Sequence, residues 1–260
     1  MYHHSIYCLV ASLALTGCTS VSESTSTEPK PLIRAHSHND YEHQRPLLDA
    51  LECGFCSVEA DIYQVEGKLL VAHDRREVKP ERTLQALYLE PFRQRVHAHG
   101  GRVYNHGPEI SLMIDIKDSW QATYPVLRSA LEEYADILTT YREGEITTRA
   151  VRVIISGNRS TNMFAGERIR YASADGTLAD LDSGMGAELV PWISSQWGAT
   201  FTWAGEGRMP ENEETKIRQL VTKAHQQGRR LRFWGAPDRP SFWGKLVAED
   251  VKDHIESMRA

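Results

Sequence analysis

Ser57-Val58-Glu59-Ala60-Asp61-Ile62-Tyr63 is the stretch on which the fold of this chain turns. Side chains along a strand alternate between its faces, so Glu59 and Asp61 leave one face together while Val58, Ala60 and Ile62 leave the other. The apolar face calls for a covering layer of helices. On the polar face, two close carboxylates do not both stay ionised unaided. A hard divalent cation with oxygen ligands resolves that conflict. The arrangement returns in Ile110-Ser111-Leu112-Met113-Ile114-Asp115-Ile116-Lys117, the clearest strand of the chain, where Asp115 and Lys117 again stand two residues apart. Asp115 completes the carboxylate set, and Lys117 offers a point charge to an anionic substrate.

Outward from these strands, apolar runs of strand length alternate with helical stripes. Leu32 to Ala35 reads as a short strand delivering His36, and Leu47, Leu48 and Leu51 as a helical stripe that Gly54 stops. Glu66-Gly67 is a turn, and Leu69 to Ala72 a strand ending at His73. Helices are expected after Glu81, over Trp120 to Tyr141, over Glu211 to Gln227, and from Phe242 to Met258. Further strands are expected over Val151 to Ile155, near Arg168 to Ala172, over Glu188 to Ile193 and over Leu231 to Trp234. Such alternation predicts parallel βα units, and the count approaches a TIM (β/α)8-type barrel whose last strand is short or missing. Active residues of a barrel lie at the C-terminal ends of its strands. His36, Glu59, Asp61, His73, Asp115, Lys117, Asn158 and Trp234 all occupy such ends.

His36 and His73 beside a carboxylate cluster suit acid and base roles, because imidazole titrates near neutrality. A cation flanked by lysine favours a phosphoryl group as substrate. A net charge of −5 gives no reason to expect nucleic-acid binding. At the N-terminus, the apolar run Ile6 to Leu15 ends in Leu15-Thr16-Gly17-Cys18, similar to a bacterial lipoprotein signal with Cys18 as the lipidated residue. Residues 1–18 are therefore expected to be a signal peptide, 19–31 a Ser/Thr-rich disordered tether, and 32–260 one catalytic domain. That reading places a monomer in the bacterial cell envelope, anchored to the membrane by lipid on the periplasmic face of the outer membrane. Cys53 and Cys56 are read as small buried residues closing a helix and opening a strand, not as a redox pair.

Taken together, these residues resemble the phospholipase C-like phosphodiesterase superfamily, which includes glycerophosphodiester phosphodiesterases and the sphingomyelinase D type. The pattern is a histidine after the first strand (His36), Glu-x-Asp on the second (Glu59, Asp61), a histidine after a short hairpin (His73), and an acid with x-Lys on the third (Asp115, Lys117). His36 to Tyr41, Ser57 to Asp61 and Arg232 to Pro237 resemble more narrowly the altered-inheritance-of-mitochondria branch. The resemblance implies an acid/base pair of His36 and His73, one Mg2+ or Ca2+ on Glu59, Asp61 and Asp115, phosphate contact by Lys117, and a pocket lined by Trp234, His38 and Asn39. The expected substrate is a glycerophosphodiester or another lipid-derived phosphodiester. Glycerophosphodiesterases usually carry His-Arg-Gly where this chain has His36-Ser37-His38. Two other readings compete: a zinc amidohydrolase or phosphoesterase built on the His36-x-His38 dyad, and a non-catalytic lipoprotein that binds a phosphorylated ligand.

Overall fold

The computed structural model describes residues 28–237 together with residues 239, 242 and 256–257. Its strands, in chain order, are β1 (Ala35–His36), β2 (Ser57–Val65), β3 (Lys68–Val71), β4 (Ile110–Ile116), β5 (Thr140–Arg142), β6 (Glu145–Thr147), β7 (Val151–Gly157), β8 (Ile169–Arg170), β9 (Ser173–Gly176), β10 (Trp192–Gln196), β11 (Arg230–Trp234) and β12 (Glu256–Ser257). The α-helices are α1 (Leu48–Glu52), α2 (Glu90–Ala98), α3 (Trp120–Glu132), α4 (Trp197–Thr200) and α5 (Glu211–Gln226). Seven strands form one mixed sheet in the order β11-β10-β9-β7-β4-β2-β3. Every neighbouring pair in it is parallel except the hairpin β2–β3. That hairpin turns through Glu66 and Gly67, both with positive φ, as a two-residue turn requires. β1 pairs in parallel with β12, and Ser37, just past β1, bridges in parallel to Val58 of β2. β6, β5 and β8 make a small antiparallel sheet of their own.

Register explains why the strands expose two different faces. Asp61 lies opposite Asp115, which lies opposite Ser156, and Ser194 lies opposite Arg232. Alternation then carries Val58, Ala60, Ile62, Leu112, Ile114, Val153 and Ile155 to the other side, where they join the main apolar core with helix residues such as Tyr88, Phe92, Leu127, Ile217 and Val221. The polar side keeps only a small separate apolar cluster of Met113, Ile154 and Trp192.

The segment after β1 is fastened by one carboxylate. Asp40 is fully buried and accepts from Ser37 Oγ (2.9 Å), Tyr88 Oη (2.9 Å) and the Leu47 N–H (2.5 Å). His43 Nδ1 lies 3.2 Å away. Leu47 has φ +65°, a conformation that a side chain with a Cβ rarely adopts. Its bond to Asp40 and its complete burial hold it there.

The observed elements differ from the expected ones where local pairing overrides periodicity. α3 stops at Glu132, not Tyr141, because Ile137 and Thr139 exchange backbone hydrogen bonds with Val151 and Thr140 opens β5. The strand expected near Arg168 to Ala172 divides into β8 and β9. The strand expected over Glu188 to Ile193 begins only at Trp192. Most of the C-terminal helix expected over 242–258 lies outside the described residues, but Glu256–Ser257 is a strand beside β1. The signal peptide at 1–18, Cys18 included, also lies outside them, with most of the tether. Cys53 and Cys56 are both free; Cys53 is exposed rather than buried as expected, whereas burial pushes the Cys56 thiol up to about 11, as a structural cysteine behaves. Among the described residues, no helix is long and apolar enough to cross a membrane.

Replacing Asp40 by alanine leaves three buried donors without their acceptor. The expected cost is about 3 kcal/mol or more, read as a lower urea midpoint of unfolding at unchanged slope.

Candidate functional site

The polar side of the sheet opens into a cavity of about 720 Å3 at the C-terminal ends of the parallel strands. Glu59 lines it from β2, Asp115 from β4, Ser156 from β7, Asp175 from β9, Ser194 from β10, and Arg232 and Trp234 from β11. His38, Asn39, His73 and Lys117 complete this part of the wall from the loops that follow β1, β3 and β4. The structure therefore brings together the expected residues Glu59, Asp115, His73, Lys117, Trp234, His38 and Asn39 on one cavity. Asn158 is not among its lining residues.

Glu59 is the most tightly held group. It is only 3 % exposed and accepts on one oxygen, Oε2, from His36 Nε2 (2.8 Å) and Arg232 Nη2 (2.7 Å). Burial alone would raise its carboxyl, but the Arg232 guanidinium and the His36 bond hold it well below the usual carboxylate range. His38 Nε2 stands 3.9 Å from the other oxygen, Oε1. His36 is 1 % exposed, and its Nδ1 lies 2.7 Å from Ser57 Oγ. With Glu59 ionised, Nε2–H donates to it and Nδ1 accepts from the serine hydroxyl. Both ring nitrogens of His36 are thus engaged behind the cavity, and the ring that faces the cavity is that of His38. Burial, and then Arg232, push His36 down to about 4; burial also lowers His38.

Asp61 shows the opposite balance. Its Oδ2 takes Tyr41 Oη (2.6 Å) and Lys117 Nζ (2.8 Å), with His73 Nδ1 at 3.0 Å. Its Oδ1 is buried and has no protein partner. Burial, and then the neighbouring Glu59, raise the Asp61 carboxyl. Asp115, 3.1 Å from Lys117 Nζ, is pushed up to about 6 by burial against the pull of Lys117. Burial works against the Lys117 ammonium, but Asp61 and Asp115 outweigh it and raise its value.

These groups fit a divalent cation. One oxygen each from Glu59, Asp61 and Asp115 lie within 4.8 Å of one another, an all-oxygen set suited to Mg2+ or Ca2+. The orphaned Asp61 Oδ1 lacks the partner that a buried carboxylate oxygen normally has. Gly157, with φ +71°, leaves Asp115 room: a Cβ there would collide with Asp115 Oδ1 and the Ile116 carbonyl. Among the described residues no histidine joins a converging metal-binding group, so the His36-x-His38 zinc dyad finds no support.

Sequence reasoning missed Arg232, Tyr41, Ser57 and Asp175. Arg232 was legible in principle, as a charge between apolar Leu231 and Phe233 in a strand. Asp175 was hidden by placing its strand too early. It is buried, accepts from Ser194 Oγ (2.8 Å) and Ser156 Oγ (3.3 Å), and lies 4.0 Å from Arg159 Nη2. Burial raises its carboxyl.

Residues 24–172 match the family model described as the AIM6-like phosphodiesterase domain. The chain is 30% identical to Altered inheritance of mitochondria protein 6 of Eremothecium gossypii, over 93% of this chain and 69% of that protein. It is 29% identical to the protein of that name from Saccharomyces cerevisiae, over 83% of this chain. It is 27% identical to a homolog from Arthroderma benhamiae, over 84% of this chain and 79% of the relative. The match covers 65% of the Saccharomyces protein's own length. No solved structure matches the chain. These relatives are fungal, which overturns the expected address in a bacterial cell envelope. That expectation rested on the apolar run Ile6 to Leu15 and the Leu15-Thr16-Gly17-Cys18 that ends it, all outside the described residues.

His36 gives a direct test of this electrostatic arrangement. Its folded value lies below its unfolded one, so the unfolded chain binds the proton first. The contribution of His36 to stability is intact above about pH 6.5 and is lost as the pH falls toward about 4. An NMR titration of the imidazoles is expected to show His36 as the neutral Nε2–H form with a midpoint near 4. A midpoint near 6.5 breaks the account.

Proposed function

The chain belongs to the AIM6-like phosphodiesterase domain family, and from that premise we propose that it cleaves a phosphodiester with the help of one divalent cation. The observation that carries the reading is the convergence of Glu59, Asp61 and Asp115 within 4.8 Å, with Asp61 Oδ1 buried and unpartnered. Mg2+ or Ca2+ would be held by these three carboxylates and would neutralise the non-bridging phosphoryl oxygens.

The chain's own groups then divide the work. Lys117 lines the cavity beside the carboxylates and suits contact with an anionic phosphoryl group. His73 is held through Nδ1 by Asp61 and Tyr41 (3.0 Å to each), which leaves Nε2 for proton transfer in the cavity. The second proton-transfer role was expected of His36. We assign it to His38, because His38 faces the cavity while His36 is engaged at both nitrogens and orients Glu59. One histidine takes the proton of the attacking hydroxyl, from water or from the substrate itself. The other returns a proton to the leaving oxygen. Exposed Trp234 at the cavity wall suits the substrate's organic portion, a glycerophosphodiester or other lipid-derived alcohol.

The same proposal takes the sheet as the larger part of a (β/α)8 barrel. The parallel pairing of β1 with β12, the parallel bridge from Ser37 to Val58, and the bond from Arg232 on β11 to Glu59 on β2 support it.

The test is hydrolysis of bis(p-nitrophenyl) phosphate with EDTA, then with Mg2+ or Ca2+ restored. Activity is expected only with added cation, and Glu59→Gln, Asp61→Asn and His73→Gln are each expected to lower kcat/KM by roughly a hundredfold or more. Absence of turnover with either cation sinks the reading and favours a non-catalytic phosphoryl-binding protein. Gly157→Ala, which crowds Asp115 and the Ile116 carbonyl at a positive φ, is expected to lower both cation affinity and thermal stability, read by calorimetry and by the melting temperature.

A further inference from the structure

We propose that Lys117 and the divalent cation compete for the same two carboxylates, so that cation binding releases the Lys117 ammonium toward the phosphoryl group of the substrate. The inference rests on the metal-assisted reading above and adds to it an order of events. Lys117 Nζ lies 2.8 Å from Asp61 Oδ2 and 3.1 Å from Asp115 Oδ1. These belong to two of the three residues whose oxygens converge within 4.8 Å. The third, Glu59, has its own cation, because Arg232 and His36 both bond its Oε2. Lys117 is thus the positive charge on which Asp61 and Asp115 depend.

A divalent ion coordinated by Asp61 and Asp115 would stand within a few ångströms of that ammonium. Two cations so close in a partly buried site repel strongly, and the contact cannot be shared. Arg232 is buried and fixed on Glu59, whereas Lys117 carries its charge on a flexible four-carbon stem and lines the cavity. The group that yields is therefore Lys117, and the direction open to it is the cavity where the substrate's anionic group would bind. His73 and Tyr41 remain on Asp61 Oδ2 and keep that carboxylate in place as Lys117 departs.

Two consequences follow from linkage. Removing the ammonium tightens cation binding, because a competitor is gone. In the wild type the cation and a phosphate anion strengthen each other's binding by the same factor, because each favours the released lysine. A Lys117 that only contacts phosphate, without competing, produces the first effect in no variant.

The experiment titrates Mg2+ and Ca2+ separately into wild type, Lys117→Met, Lys117→Gln and Lys117→Arg by calorimetry at pH 8. Thermal melting confirms that each variant is folded, and having two neutral variants protects the test against failure of one. The expected result is cation binding at least about fivefold tighter in K117M and K117Q, within the usual range of coupling between sites. K117R, which keeps the charge, is expected to bind like wild type. Inorganic phosphate, titrated with and without Ca2+, is expected to bind more tightly with the cation in wild type, and in K117M to keep only the part of that gain that the cation itself supplies. Cation binding by wild type with unchanged or weaker binding in both neutral variants overturns the competition and leaves the metal-assisted reading standing. Failure of both cations to bind wild type overturns the metal-assisted reading itself.

Discussion

The buried contact among Glu59, His36 and Arg232 is the constraint on which the rest of the site depends. Glu59 is the third residue of β2 and has almost no solvent, and a lone carboxylate there would be too costly to keep charged. His36 arrives from β1 and Arg232 from β11, 173 residues further along the chain than Glu59. The contact therefore ties β11 to β2, which share no backbone pairing among the described residues. Losing one partner of such a buried pair typically costs 3–5 kcal/mol, because the remaining charge is stranded. The same contact leaves Glu59 Oε1 free of the pair, with His38 Nε2 3.9 Å from it.

A second carboxylate, Asp40, does for the loop what Glu59 does for the sheet. It gathers donors from Ser37, Tyr88 and the Leu47 backbone, and so fixes the path of the chain between His36 and the first helix. This gives His-Ser-His-Asn-Asp-Tyr (36–41) a division of labour. His36 supports Glu59, His38 and Asn39 face the cavity, Asp40 holds the loop, and Tyr41 reaches Asp61. Four of the six side chains, His36, Ser37, Asp40 and Tyr41, are buried, and none of the four lines the cavity; the motif is as much a fastening as a reactive site.

The carboxylate set was legible in the sequence because strand geometry has a period of two: Glu59 and Asp61, then Asp115 and Lys117, must share a face once their strands are recognised. Strands with β-branched apolar runs, such as Ile110 to Ile116, announce themselves. β8 and β9 do not, since Arg170-Tyr171-Ala172-Ser173-Ala174-Asp175 lacks such a run, and with the strand misplaced Asp175 could not be assigned to the cavity. The roles of His36 and His38 were not legible at all. Two histidines two residues apart look equivalent until their hydrogen-bond partners, Ser57 and Glu59 for the one and open cavity for the other, are known. Arg232 was readable as a strand charge, but its partner 173 residues away was not.

Charge balance on the polar side of the sheet ties these points together. Four carboxylates, Glu59, Asp61, Asp115 and Asp175, face three fixed cations, Lys117, Arg159 and Arg232. Arg232 settles Glu59, and Arg159 lies beside Asp175. The uncompensated charge falls on Asp61 and Asp115, the pair that shares Lys117 and whose carboxyls burial raises. A divalent cation at that pair would turn the cavity from net negative to net positive, the sign that an anionic phosphodiester requires. The excess of carboxylate that makes the site unfavourable by itself is thus what suits it to a divalent cation and, through that cation, to an anionic phosphodiester.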